Sequence, residues 1–173
     1  MLLMRHASAG ERRGSPERDR TRRLDAAGRA DARALPAAFA EIEIDRIVTS
    51  PTARCVSTVL ALARRRGIEI ECREEIGPDA TRKEILDLLA ELPEHTLVCT
   101  HREVFERVFR DNVTCEKGGT WILERNCRRR VPAAVAYLPP PSNVVSTKQD
   151  VRPPARAPRQ APARARRSVA DSR

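Results

Sequence analysis

The stretch Met1-Leu2-Leu3-Met4-Arg5-His6-Ala7-Ser8-Ala9-Gly10 runs from an apolar segment straight into a cation, an imidazole and small residues. A short apolar run ending this way reads as a buried strand whose C-terminal end opens a reactive loop. That end is where parallel α/β sheets place their chemistry. Two further segments repeat the pattern. Ile47-Val48 leads into Thr49-Ser50-Pro51-Thr52-Ala53-Arg54-Cys55-Val56-Ser57-Thr58, and Leu97-Val98-Cys99-Thr100-His101 delivers a second imidazole. Three strand ends would then present Arg5, His6, Arg54 and His101 to one place. Arginine is always charged and matches phosphate oxygens with paired N–H groups, so two guanidiniums beside two imidazoles suit a phosphoryl group.

At 173 residues the chain has one domain's worth of length, enough for a single sizeable core. Aromatic residues make up only 3%, so that core must come from Leu, Ile, Val and Ala. The net charge of +9 looks like a nucleic-acid signal until it is divided along the chain. Residues 139–173 hold eight Lys or Arg and two Asp, against 25 basic and 22 acidic residues in 1–138. The excess therefore sits mostly in a tail with seven Pro in 35 residues. Such a Pro/Arg/Ala-rich segment cannot bury enough apolar surface to order itself, and the expected division is a domain over 1–138 and a disordered basic tail over 139–173. Without aromatic side chains to stack on bases, the tail supports at most weak, non-specific contact with a polyanion. No stretch approaches the ~20 apolar residues of a membrane span, and no secretory leader pattern opens the chain. A soluble, cytoplasmic protein with no membrane partner is expected. The five Cys (55, 72, 99, 115 and 127) form no Cys-x-x-Cys pair and read as reduced thiols rather than a disulfide framework or zinc site.

Taken in order, residues 8–23 lack periodicity and read as a loop over the site, with a charge run of Arg12, Arg13, Arg18, Arg20, Arg22 and Arg23. Asp25 caps a helix to about Ala40, with a kink or early break expected at Pro36. Strand 46–49 is followed by a helix from Thr52 to Arg66 that Gly67 ends. Ile68–Cys72 alternates and reads as a half-exposed edge strand. Thr81 and Glu84 fit a capping box on a helix over about 81–92. Strand 96–100 precedes a helix from Glu103 to about Asp111, and 120–123 and 133–138 read as closing strands. Trp121 reads as a packing residue.

Together, MRHASAG, TSPTARCVST and CTHREV resemble the three signature segments of the histidine phosphatase superfamily, over about residues 1–138. The short length and the Arg-His-Ala form of the first segment are similar to its small SixA-like phosphohistidine phosphatase branch. Lys117–Glu124 and Ala136–Pro140 are similar to the phosphatase domain that some actinobacterial proteins carry behind a Nudix domain, which this sequence lacks. The resemblance implies a phosphoglycerate-mutase-like α/β fold, a three-layer α/β/α sandwich with a mostly parallel central sheet. It also implies a phosphatase that needs no metal or other cofactor.

A neutral imidazole is a competent nucleophile near pH 7, so His6 is expected to take the phosphoryl group, as the resemblance also implies. Arg5, Arg54 and His101 supply the electrostatic clamp, with Ser8 and Thr100 as candidate hydroxyl donors to the substrate. The resemblance places the proton donor on a loop outside the three motifs. Glu75 is the first choice, followed by Glu74, Asp79 and Asp19. Arg102 and Glu103 bring long charged side chains to the rim, where they either tune or impair the site. The leading expectation is a metal-independent phosphatase hydrolysing a phosphate ester or phosphoramidate through a phosphohistidine on His6. Its substrate would be a small phosphorylated molecule or a phosphohistidine protein. The alternative is a catalytically weakened phosphate-binding or interaction module with a basic tail.

Overall fold

The computed structural model describes residues 1–12, 14–110, 113–126 and 129–144. Its elements are β1 (Leu2–Arg5), α1 (Pro16–Arg20), α2 (Ala26–Ala38), β2 (Arg46–Thr49), α3 (Ala53–Arg66), β3 (Ile70–Cys72), α4 (Arg82–Glu91), β4 (Thr96–Thr100), α5 (Arg102–Phe109), β5 (Thr120–Asn126), β6 (Arg129–Leu138) and α6 (Pro141–Val144). The six strands lie in the order β3-β2-β4-β1-β5-β6. The first four are mutually parallel and the last two antiparallel. This is the expected mostly parallel sheet.

Alternation along the strands divides the core into two layers, because successive side chains leave opposite faces. Leu3, Val48 and Val98 point to one face with Ile85, Leu89 and Phe105 of α4 and α5. Leu2, Met4, Ile47, Leu97 and Cys99 point to the other, with Leu35 of α2, Phe39 just past its end, and Val59 and Leu62 of α3. The sheet is thus covered on both sides, the three-layer arrangement expected from the resemblance.

Most local signals are realised. Gly67 ends α3 at φ 67°, Thr81 and Glu84 form the capping box, and Asp25 caps α2 through the Gly28 amide. Trp121 stacks on Tyr137. Several differ. The expected loop over 8–23 contains α1, started by Ser15 as cap and Pro16 at the first turn. Pro36 lies in the last turn of α2, and the helix ends two residues later at Ala38, short of the expected Ala40. The closing strands are longer than expected. The domain also continues past Leu138: Pro140 and Pro141 are buried, and the Ser142 amide donates to Asp31 of α2 at 3.0 Å. The expected tail from 145 onward, with its proposed polyanion contact, lies outside the described residues. Cys55, Cys99 and Cys115 are buried free thiols and Cys72 is exposed; Cys127 lies outside the described residues.

One backbone contact fixes the loop after β1. A Cβ at position 28 would stand 1.9 Å from the Ser8 carbonyl oxygen and 2.8 Å from the Ser8 nitrogen. Gly28→Ala should therefore force apart α2 and the loop that follows His6, at a cost of about 1–3 kcal/mol. Urea unfolding measures this, and an unchanged midpoint would show that the contact gives way freely.

Candidate active site

His6 leaves the end of β1 locked on both sides. Its amide donates to the Thr100 carbonyl of β4 (2.9 Å), and its own carbonyl accepts from Gly118 (3.1 Å), at φ 82°. The next amide, Ala7, donates to the Thr58 hydroxyl of α3 (3.0 Å). These bonds aim the ring inward, where only 7% of the residue is exposed. Nδ1 lies 2.8 Å from the Ala7 carbonyl oxygen, an acceptor only, so Nδ1 carries the proton. Nε2 then bears the lone pair, and it accepts from Arg54 Nε at 3.3 Å.

Arg54, in the first turn of α3, is buried at the centre of the group. Besides His6 it donates from Nη2 to His101 Nδ1 (3.2 Å) and from Nη1 to the Asp19 carbonyl (2.6 Å). Nη2 also pairs with the Asp19 carboxylate at 3.1 Å. His101 turns its other nitrogen to the Ser50 hydroxyl at 2.8 Å, with Cys55 Sγ 3.5 Å away. The two imidazoles meet edge to face, their centroids 5.3 Å apart. Arg5, the last residue of β1, is held by Nη1 on the Cys115 carbonyl (2.8 Å). Its buried Nε has no protein partner among the described residues. A buried N–H left without a protein acceptor is a donor available to a ligand.

The structure thus brings together His6, Arg54 and His101, and it engages three of the other candidate residues elsewhere. Ser8 donates its hydroxyl to Asp25 (2.6 Å), and Thr100, fully buried, donates to the Ile76 carbonyl (2.7 Å). Glu75 is drawn to Arg73 two residues earlier (2.6 Å). The acid in contact with the cluster is Asp19, brought in by α1 and 4% exposed. Its other oxygen accepts from Arg22 (2.8 Å), and Arg22 also holds the Ala9 and Gly10 carbonyls. Ser50 and Thr58, which hold His101 and the Ala7 amide, had no sequence signal beyond lying in the second motif. Arg102 pairs with Glu106 one turn on (3.0 Å) and stays exposed. Among the described residues no group of three or more His, Cys, Asp or Glu could hold a metal ion.

Burial dominates the electrostatics of His6. It lowers the imidazole pKa to about 4, with His101 and Arg54 adding to the shift and Cys55 and the Ala7 carbonyl opposing it. The ring therefore stays neutral at pH values where a free histidine, at 6.5, is charged. Between those two values the unfolded chain takes up a proton that the folded chain refuses. Stability must then fall as pH drops from 6.5 towards 4 and recover as pH rises. At about 1.4 kcal/mol per unit, the loss is about 3 kcal/mol across the window. Denaturant unfolding of wild type and His6→Ala at pH 7 and pH 4.5 isolates it: the variant should lose about 2–3 kcal/mol less, and equal losses would refute the shift. At Asp19, burial alone would raise the pKa. The Arg22 hydrogen bond and the charges of Arg54, Arg22 and Arg12 outweigh it and hold the carboxyl below its ordinary value.

Comparison with known proteins gives a consistent picture. The family model described as histidine phosphatase superfamily (branch 1) matches residues 1–77. An 8-oxo-(d)GTP phosphatase of Mycolicibacterium smegmatis is 30% identical over 158 residues, covering 82% of this chain and 48% of that protein. The chain thus spans about half the length of that relative. A solved structure assigned as the phosphohistidine phosphatase SixA of Agrobacterium tumefaciens superposes with a TM-score of 0.63 at 26% identity, over 80% of this chain and 96% of that one. A protein histidine phosphatase SixA complexed with tungstate shares the fold, with a TM-score of 0.67 at 17% identity, over 83% and 97%.

Proposed function

We propose, from the family model over residues 1–77 and the fold around them, that the chain is a member of the histidine phosphatase superfamily and that it hydrolyses phosphate esters or phosphoramidates through a phosphohistidine on His6. The observation that carries this reading is the tautomer of His6. A neutral ring with its proton held on the Ala7 carbonyl presents the Nε2 lone pair to the same space that Arg54 reaches.

In the first step Nε2 attacks phosphorus and the bond to the leaving group breaks. Arg54, Arg5 and His101 meet the charge on the equatorial oxygens, so the protein contributes mainly position and electrostatic stabilisation. The Ala7 carbonyl stabilises the positive ring of the phosphohistidine through Nδ1–H. Asp19 is the group we assign to proton transfer. Alone it is held ionised by Arg22 and Arg54, but a phosphoryl dianion on Arg54 takes away that ion pair and places a like charge nearby. Both changes raise its proton affinity when the leaving group needs a proton. In the second step Asp19 accepts a proton from the water that attacks phosphorus. The P–N bond breaks and His6 returns to its neutral form.

Asp19→Asn keeps the shape and loses the proton. Glycerol phosphate, whose alkoxide must be protonated, should turn over about 10²-fold more slowly, and p-nitrophenyl phosphate, a stable leaving group, much less so. Equal losses on the two substrates would remove Asp19 from the proton path. The intermediate is tested by mixing the protein with ³²P-labelled phosphohistidine substrate in EDTA and quenching in alkali, which preserves phosphohistidine. Label on wild type and none on His6→Ala is expected. A strict metal requirement, or phosphate binding without turnover, would replace this reading, the second outcome favouring an interaction module. The substrate fits either a small phosphorylated molecule, a nucleotide included, or a phosphohistidine protein. Among the described residues no helix is long and apolar enough to cross a membrane.

A further inference from the structure

Between α2 and α3, on the side of the sheet that carries Arg54, runs an open groove of about 370 Å³. Its floor is apolar and partly exposed, built by Leu60 and Ala61 of α3 against Ala32 of α2. Four exposed arginines, Arg23, Arg29, Arg33 and Arg64, stand around it, and no Asp or Glu lines it. Arg29 and Arg33 are one helical turn apart on α2. The groove opens at Ser57, one turn beyond Arg54, and ends at Arg64, about 10 Å further along α3 at 1.5 Å per residue.

We propose that this groove docks an acidic amphipathic helix of a protein partner and so brings that partner's phosphorylated side chain to His6. An apolar floor between two helices is the surface on which a third helix lays its own apolar stripe. The rim then calls for carboxylates on the flank of that stripe, at the same one-turn spacing as Arg29 and Arg33. A polyphosphate or a nucleic acid would use the guanidiniums and leave Leu60 and Ala61 without an apolar partner. The chain's own residues 139–173 carry the same sign of charge as the rim and do not complement it. The role of the docked helix as substrate rests on the proposed phosphatase reading, while docking itself does not.

The probe is a fluorescent 18-residue synthetic helix with Leu along one stripe and Glu flanking it at i, i+4 spacing. Full-length wild type should bind it at least about tenfold more tightly than Arg33→Glu/Arg64→Glu, with amide shifts confined to α2 and α3. A helix carrying Lys in place of Glu should recover binding to the double variant, and a scrambled peptide of equal charge should bind weakly to both. Equal binding by wild type and variant would overturn the proposal, as would a scrambled peptide as tight as the helix. Hexametaphosphate or a 12-nucleotide RNA that binds the groove more tightly than the helix would also overturn it. p-Nitrophenyl phosphate turnover should be unchanged in the double variant, and its loss would make the two arginines part of the catalytic unit instead. Absence of that turnover in wild type would count against the phosphatase reading alone, because the binding assay needs no chemistry.

Discussion

Replacing His6 with alanine should lower turnover of p-nitrophenyl phosphate by at least about 10³-fold, because it removes the Nε2 lone pair that the proposed phosphoryl transfer needs. Arg54 Nε donates to Nε2, and His101 spends its Nδ1 on Arg54 and turns its other nitrogen to Ser50. The fold should survive. β1 is fixed by backbone bonds to β4 and to Gly118 and Gly119, none of which passes through the imidazole. Steady-state kinetics with circular dichroism checks both halves. A folded variant that keeps more than a tenth of wild-type turnover would transfer the nucleophile to another group.

Arg54→Ala should cost about 10²–10³-fold in kcat/KM, the scale on which one buried donor to a developing oxyanion is felt. The reach of this residue makes the loss large. A single guanidinium contacts His6, His101, the Asp19 carbonyl and the Asp19 carboxylate, so its removal disconnects α1 from both imidazoles. Arg54→Lys should recover little, since an ammonium is a point charge without the planar fork that spans those partners. The reading fails if lysine restores wild-type efficiency.

The core of this arrangement was legible because strand ends announce themselves: an apolar run followed by Arg-His, Arg or Thr-His needs no long-range information. The acid was not. Glu75 and Asp19 are both acids on connecting segments, and the difference between them lies in which arginine the fold places opposite. Arg73, two residues from Glu75, was the one local warning. The hydroxyls of Ser8 and Thr100 lie within the motifs, yet the acceptors that claim them, Asp25 and the Ile76 carbonyl, come from outside them. Helix α1 carried a readable start in Ser15-Pro16 but is too short, at five residues, to show periodicity. β5 and β6 were read short because register shifts after Ile122 and Glu124 break the two-residue alternation on which strand reading depends.

The strand that carries His6 is made well before the strands that secure it. Leu3 pairs with Val98 on one side and with Trp121 on the other, and the amide after Arg5 waits for Thr100. On a ribosome, His6 leaves the exit tunnel when neither neighbour has been synthesised. Its strand then remains an unpaired apolar segment until β4, about 95 residues further along the chain, has emerged, a long-range closure of the kind that slows folding. The growing chain therefore carries an exposed Met1–Met4 run while the residues up to β4 are made, and the candidate cluster can form only once His101 has joined it.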